Sequence, residues 1–172
     1  YTSAIVNPTF DVVNDFTGWQ GTAFGTGGDA GANAEQYERN FDSFQDIYAL
    51  PAGTYEVRVK GMFRYGSVTD DYAAMKAAEV QRTDDPDYVD PTLTAYLYAQ
   101  TTPEKRASVQ IMHSTQYGLA TPDFTSTNAG TASDPCYVAD SRTSADLYFH
   151  DHENEAAYAH SVTIKVEEGD VD

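Results

Sequence analysis

Thr54-Tyr55-Glu56-Val57-Arg58-Val59-Lys60-Gly61-Met62-Phe63-Arg64-Tyr65 is the stretch on which the fold class turns. Successive side chains of an extended chain point to opposite faces. Tyr55, Val57, Val59, Gly61 and Phe63 therefore share one face, and Glu56, Arg58, Lys60, Met62 and Arg64 share the other. Such alternation predicts a strand with one face in the core and one in water. Just before it, Leu50-Pro51-Ala52-Gly53-Thr54 puts Pro and then Gly where a tight turn needs them. Phe44-Gln45-Asp46-Ile47-Tyr48 alternates again, so residues 44–64 are expected to form a hairpin of two antiparallel strands.

Outward from this segment, further strands are expected at residues 4–6, 34–38, 93–99, 107–112 and 159–166. The last of these has Val162, Ile164 and Val166 inward and Ser161, Thr163 and Lys165 outward. Residues 71–81, rich in Ala, Met and Lys behind an acidic start, predict a helix, and residues 143–149 a short helical turn. Neither provides the crossover of a βαβ repeat, and no internal repeat is visible. Residues 21–34 and 118–133 are rich in Gly, Ala, Thr and Asn and read as long surface loops. The expectation is one all-β domain with one or two short helices.

The 172 residues carry 10 Lys plus Arg against 27 Asp plus Glu, a formal charge of −17. Phosphate backbones and anionic lipid demand a basic patch, so nucleic-acid and membrane-surface partners are disfavoured. No apolar run approaches the roughly 18 residues of a membrane span, so no membrane insertion is expected. Cys136 has no partner for an internal bridge. The 41% hydrophobic and 13% aromatic content is that of a folding chain rather than a disordered acidic one. Asp84, Asp85, Asp87 and Asp90 cluster around Pro86, and Asp151, Glu153 and Glu155 alternate with His152. Either cluster reads as solvated loop or as a cation site.

Reactive motifs are sparse. There is no nucleophile elbow, phosphate loop, dinucleotide glycine motif or zinc cysteine pair. Cys136 reads as a small packing residue, and His150-Asp151-His152 supplies two imidazoles, which is short of a metal site. What the chain does carry is 13 Tyr, 8 Phe and one Trp. Sugars offer apolar C–H faces to flat rings and hydroxyls to fixed donors and acceptors, so exposed rings beside polar groups make a saccharide platform. Tyr55 and Phe63 fall on the core face. Trp19, Tyr37 and Tyr65 lie near loops or strand ends and are candidates for stacking, with Arg64 as a hydrogen-bond donor or, alternatively, the outward end of its strand.

Asn7-Pro8-Thr9-Phe10-Asp11 followed by Gly18-Trp19 resembles the N-terminal signature of galactose-binding-like β-sandwich modules. The block Ala34-Glu35-Gln36-Tyr37, Phe41-Asp42-Ser43-Phe44-Gln45-Asp46-Ile47, Leu50-Pro51-Ala52-Gly53-Thr54-Tyr55 and Phe63-Arg64 resembles the version found in surface or secreted polysaccharide-degrading proteins of Bacteroidetes. The resemblance spans residues 7–64 and returns weakly over 137–166. It implies an antiparallel jelly-roll β-sandwich, and a non-catalytic carbohydrate-binding module joined to a neighbouring catalytic domain in the same secreted or surface parent chain. It also implies a structural Ca²⁺, with Asp11 at the acidic ligand position; alternatively Asp11 is a turn residue. Strands that follow the Glu-Glu-Gly turn in the family are missing after Glu167-Glu168-Gly169, and no signal peptide or initiating Met opens the chain, so an excised or C-terminally truncated module is expected. The alternatives are a structural or protein-interaction β-sandwich without sugar binding, and an acidic glycosidase with two convergent carboxyls.

Overall fold

A computed structural model describes residues 4–26, 33–117, 126–128, 136–139 and 159–170. These residues are mainly β with one helix. The central pairing joins β3 (Gly53–Lys60) to β9 (Ala159–Val166), antiparallel, from Gly53 opposite Val166 to Lys60 opposite Ala159. Tyr55 faces Ile164, Val57 faces Val162 and Val59 faces His160, so two apolar pairs and one Val–His pair line this face, and such cross-strand pairs set the register. Alternation in β3 is as expected, with Tyr55, Val57 and Val59 half-buried between exposed neighbours. On β9, Val162 and Val166 are buried and Ile164 is half-buried, joined by buried His160.

The expected hairpin over residues 44–64 does not form. Ser43 and Phe44 are β2 and pair instead with β1 (Gln20–Gly21), while β3 takes β9. The cause is local. Ala49 adopts φ +57°, which breaks an extended run, and Pro51 has no N–H to offer a ladder. Nor are residues 4–6 a strand; the chain bends there, with Val6 tied through both backbone groups to the Gln45 side chain at 3.0 and 2.6 Å. Residues 34–38 contribute a single bridge, Glu35 to Gly25.

Helix α1 (Val68–Asp84) runs further in both directions than the 71–81 expected. Ser67 caps it by accepting the Asp70 amide, and the Asp70 carboxylate accepts the Ser67 amide in return, satisfying two otherwise orphaned donors. Beyond it, Asp85 is extended (φ −134°, ψ 98°) as a residue before proline prefers to be. The helix buries Asp71, Met75 and Ala78, one face at spacings of four and three.

An antiparallel hairpin, β4 (Tyr96–Thr102) with β5 (Lys105–Gln110), carries a bulge at Gln100 to Thr102 and packs on β9. These are the two strands expected at 93–99 and 107–112, each displaced along the chain. Leu93 and Ala95 are buried even though they precede β4. Three short strands, β6 (Thr115–Tyr117), β7 (Ser126–Asn128) and β8 (Cys136–Ala139), form a sheet of order β6-β8-β7, and α1 lies against β6. The helical turn expected at 143–149, the His150 and His152 pair and most of the 118–133 loop lie outside the described residues. No helix among the described residues is long and apolar enough to cross a membrane.

Candidate functional site

Met112, His113 and Ser114 leave β5 and run alongside Phe63, whose amide donates to the Met112 carbonyl at 2.8 Å and whose carbonyl accepts the Ser114 amide at 2.7 Å. This short segment is a hub. His113 is fully buried and stands between two carboxylates: its Nδ1 is 2.8 Å from Asp71 Oδ1 at the start of α1, and its Nε2 is 2.9 Å from Asp90 Oδ2 in the connection after the helix. Asp71 also accepts the Tyr65 amide at 2.7 Å and the Ser114 hydroxyl at 3.0 Å. Asp90 accepts the amide and the hydroxyl of Thr92, at 2.9 and 2.6 Å. From β9, His160 accepts the Met112 amide at Nε2, 2.9 Å away.

An imidazole with a carboxylate beside each nitrogen can donate to both only as the imidazolium. Burial acts most strongly on His113 and pushes its pKa down, but the hydrogen bonds and charges of Asp71 and Asp90 together outweigh it, and the net shift is upward. For Asp90, burial is again the largest single influence and raises the pKa; the Thr92 and His113 hydrogen bonds, with the His113 charge, overcome it, so the carboxyl lies below its ordinary value. The buried core is thus partly ionic: Asp71, Asp90, His113, Ser114 and His160 lie inside with Met75, Leu93 and Val162.

The residue types are those of a nucleophilic relay, but the geometry is different. Ser114 Oγ donates to Asp71 rather than to His113, and the whole group is closed to solvent. Because Asp71 and Asp90 lie on opposite edges of the ring, they cannot converge on one cation. What this arrangement does is join α1, the Asp90 turn and the end of β5 into one body.

Of the surface residues singled out in the sequence, Arg64 and Tyr65 adjoin this hub, since the Tyr65 amide is bound by Asp71 and Phe63 pairs with the Met112 to Ser114 segment. Tyr37 and Tyr65 are 61% and 46% exposed, and Arg64 is exposed between Phe63 and Tyr65. Glu38 raises the Tyr37 phenol pKa, first by a hydrogen bond and then by its charge, while Arg64 opposes it, so Tyr37 and Arg64 lie within electrostatic reach of each other. Trp19 is less exposed than these. It is half-buried in an aromatic cluster, with Phe10 at 5.4 Å and Phe24 at 5.3 Å between ring centroids, and its indole N–H donates to the Asn7 carbonyl at 3.4 Å. Asp11 is exposed and accepts the Thr9 hydroxyl at 2.6 Å. Among the described residues no three His, Cys, Asp or Glu side chains gather to hold a metal.

Two features were missed in the sequence. On the β4–β5 face, Arg106 stacks 3.9 Å over the Tyr98 ring, and the Tyr98 hydroxyl donates to Asp42 at 2.8 Å. The buried triad is the other: Asp90 belonged to a cluster read as solvated loop, and Asp71 to an acidic helix start. The one available signal was Thr92, two residues after Asp90, a spacing that lets an Asp bind its own backbone and turn inward. No family model, curated protein or solved structure matches this chain.

Proposed function

We propose that this chain is a non-catalytic carbohydrate-binding module of jelly-roll type, carried by a secreted or surface polysaccharide-degrading protein. Tyr37 and Tyr65 offer their rings to the C–H faces of a polysaccharide or oligosaccharide, and Arg64, next to Tyr65 in the chain, donates to sugar hydroxyls. The observation that carries the reading is the exposure of both tyrosines beside an exposed arginine that lies within electrostatic reach of Tyr37. The mainly-β frame supports it as a scaffold for such a rim, and the burial of the Asp71, His113 and Ser114 group speaks against those residues as a catalyst. Trp19 takes a supporting part, holding the N-terminal loop together through Phe10 and Phe24.

Affinity electrophoresis against a panel of plant and host polysaccharides tests it. Retardation by one glycan, lost in Tyr37→Ala, Tyr65→Ala and Arg64→Ala variants of unchanged thermal stability, is the expected result. Absence of retardation by every glycan would overturn it in favour of a structural or protein-interaction module.

A further inference from the structure

We infer that the segment from Met112 to Ser114 is a pH-responsive latch, which holds α1 and the Asp90 turn to the β framework only while His113 is doubly protonated and His160 Nε2 carries no proton. The two histidines flank Met112 and are both buried, at 0% and 6% exposure, yet their hydrogen bonds require opposite states. His113 needs a proton on each nitrogen to serve Asp71 and Asp90. His160 must present a lone pair at Nε2, because it accepts the Met112 amide there. Each wrong state leaves a buried polar group without its bond, and such groups are costly wherever water cannot reach them.

The titratable and charged groups that meet this segment include Asp71 from α1, Asp90 from the connection after it, and His160 from β9. Ser114, Thr92 and the Tyr65 amide add neutral donors to the two carboxylates. When pH rises and His113 gives up one proton, one ring nitrogen becomes a lone pair facing a buried carboxylate, and both carboxylates lose their counter-charge in the core. The His113 pKa is raised, so its contribution to stability is complete below the ordinary histidine value of 6.5 and is lost as pH climbs through the higher folded value. When pH falls, protonation of His160 Nε2 removes the acceptor of the Met112 amide. The latch therefore closes within a window and opens on both sides of it. On the alkaline side the parts released are those held through Asp71 and Asp90, namely α1 and the turn before β4.

The test is nitrogen NMR of the histidine rings in the intact chain, combined with urea unfolding from about pH 5 to about pH 9. At about pH 6 the expected spectrum shows His113 as imidazolium and His160 as a single neutral tautomer protonated at Nδ1. The urea midpoint should fall as His113 deprotonates. In Asp90→Asn, which removes one of the two anions, both the ring titration and that fall should move down by about one pH unit, a tenfold change in proton concentration. His113→Gln should abolish the alkaline fall. Should that variant not fold, the wild-type spectra and Asp90→Asn decide the matter. A neutral His113 at about pH 6, a His160 protonated at Nε2 there, or an alkaline fall that stays in place in Asp90→Asn would each overturn the inference.

Discussion

Gln110 and Asp90 hold each other in both directions: the Gln110 Nε2 donates to the Asp90 carbonyl at 2.6 Å, and its Oε1 accepts the Asp90 amide at 3.2 Å. The same Nε2 donates to the Leu93 carbonyl at 2.9 Å. The last residue of β5 thereby fixes the turn that carries the Asp90 carboxylate to His113. Gln110→Ala would leave three part-buried backbone groups without these bonds, and a loss of about 1–3 kcal/mol in urea unfolding is expected. Gln110→Glu keeps an acceptor but turns a carboxylate toward two carbonyls, and should be no better tolerated than alanine. A Gln110→Glu protein as stable as the wild type would show that the clasp contributes nothing.

Leu93 is 1% exposed although it lies outside any strand, whereas Val89, four residues earlier, is 64% exposed. Truncating a packed leucine removes its transfer energy and leaves a cavity, so Leu93→Ala should cost about 2–5 kcal/mol. Val89→Ala removes atoms already in water and should stay within about 0.5 kcal/mol. Comparable losses at the two sites in thermal unfolding would contradict the placement of Leu93 in the core.

The parts of this fold that could be read in the sequence are those whose signal is local. Residues 159–166 alternate, and they form β9 with the expected bounds; Ala-rich 71–81 lies inside α1. The hairpin over 44–64 failed because turn chemistry at Pro51 and Gly53 says where a chain can reverse, and says nothing of which distant strand offers the better apolar face. Val162 and Ile164 lie more than a hundred residues from Val57 and Tyr55, and only the fold reveals that they match. The polar hub was hidden for the same reason. Asp71, Asp90 and His113 each look like surface residues alone, and their burial depends on being brought together. Of the surface candidates, Tyr37, Arg64 and Tyr65 are exposed as loop-end residues should be, while the single tryptophan packs on two nearby phenylalanines, Phe10 and Phe24.

Ser67 caps α1 with its side chain, and the helix in turn positions Asp71 for His113. Ser67→Ala should cost about 0.5–2 kcal/mol by freeing the Asp70 amide. Ser67→Asp retains an acceptor but faces the Asp70 carboxylate, so its stability should fall below that of wild type and recover with added salt. Urea unfolding of both variants at low and high salt separates the lost cap from the charge effect. A Ser67→Ala protein equal to wild type would mean that tertiary contacts alone set the helix start.

Gly21 and Gly169 both have positive φ, +75° and +92°, but in different surroundings. A Cβ on Gly21 would collide with the Asp42 carbonyl oxygen and crowd the Phe44 ring, whereas one on Gly169 would meet nothing within 4 Å. Gly169→Ala therefore bears only the left-handed backbone cost, about 1–2 kcal/mol. Gly21→Ala adds a clash with backbone and should separate β1 from β2, costing distinctly more. Thermal melts of the two variants test the difference, and equal losses would place no close contact at Gly21.

The acid limb of stability should bear the mark of Asp90. Its carboxyl lies below the ordinary 3.8, burial notwithstanding, because Thr92 and His113 bind the charged form. A carboxylate with a depressed folded pKa contributes stability that is present above the unfolded value and lost as pH falls through the folded one. The stability difference between wild type and Asp90→Asn should therefore be largest between pH 3.8 and the pH at which His113 loses its proton, and shrink on acidification below that window. Asp70 is lowered too, by the side chain and amide of Ser67, but it stands on an exposed helix end. About 1 M salt should therefore erode the effect of Asp70→Asn and leave that of Asp90→Asn nearly intact, since screening reaches surface charges and spares buried ones. A salt response as large at Asp90 as at Asp70 would mean that water reaches the Asp90 carboxylate, and that the ionic core around His113 is open.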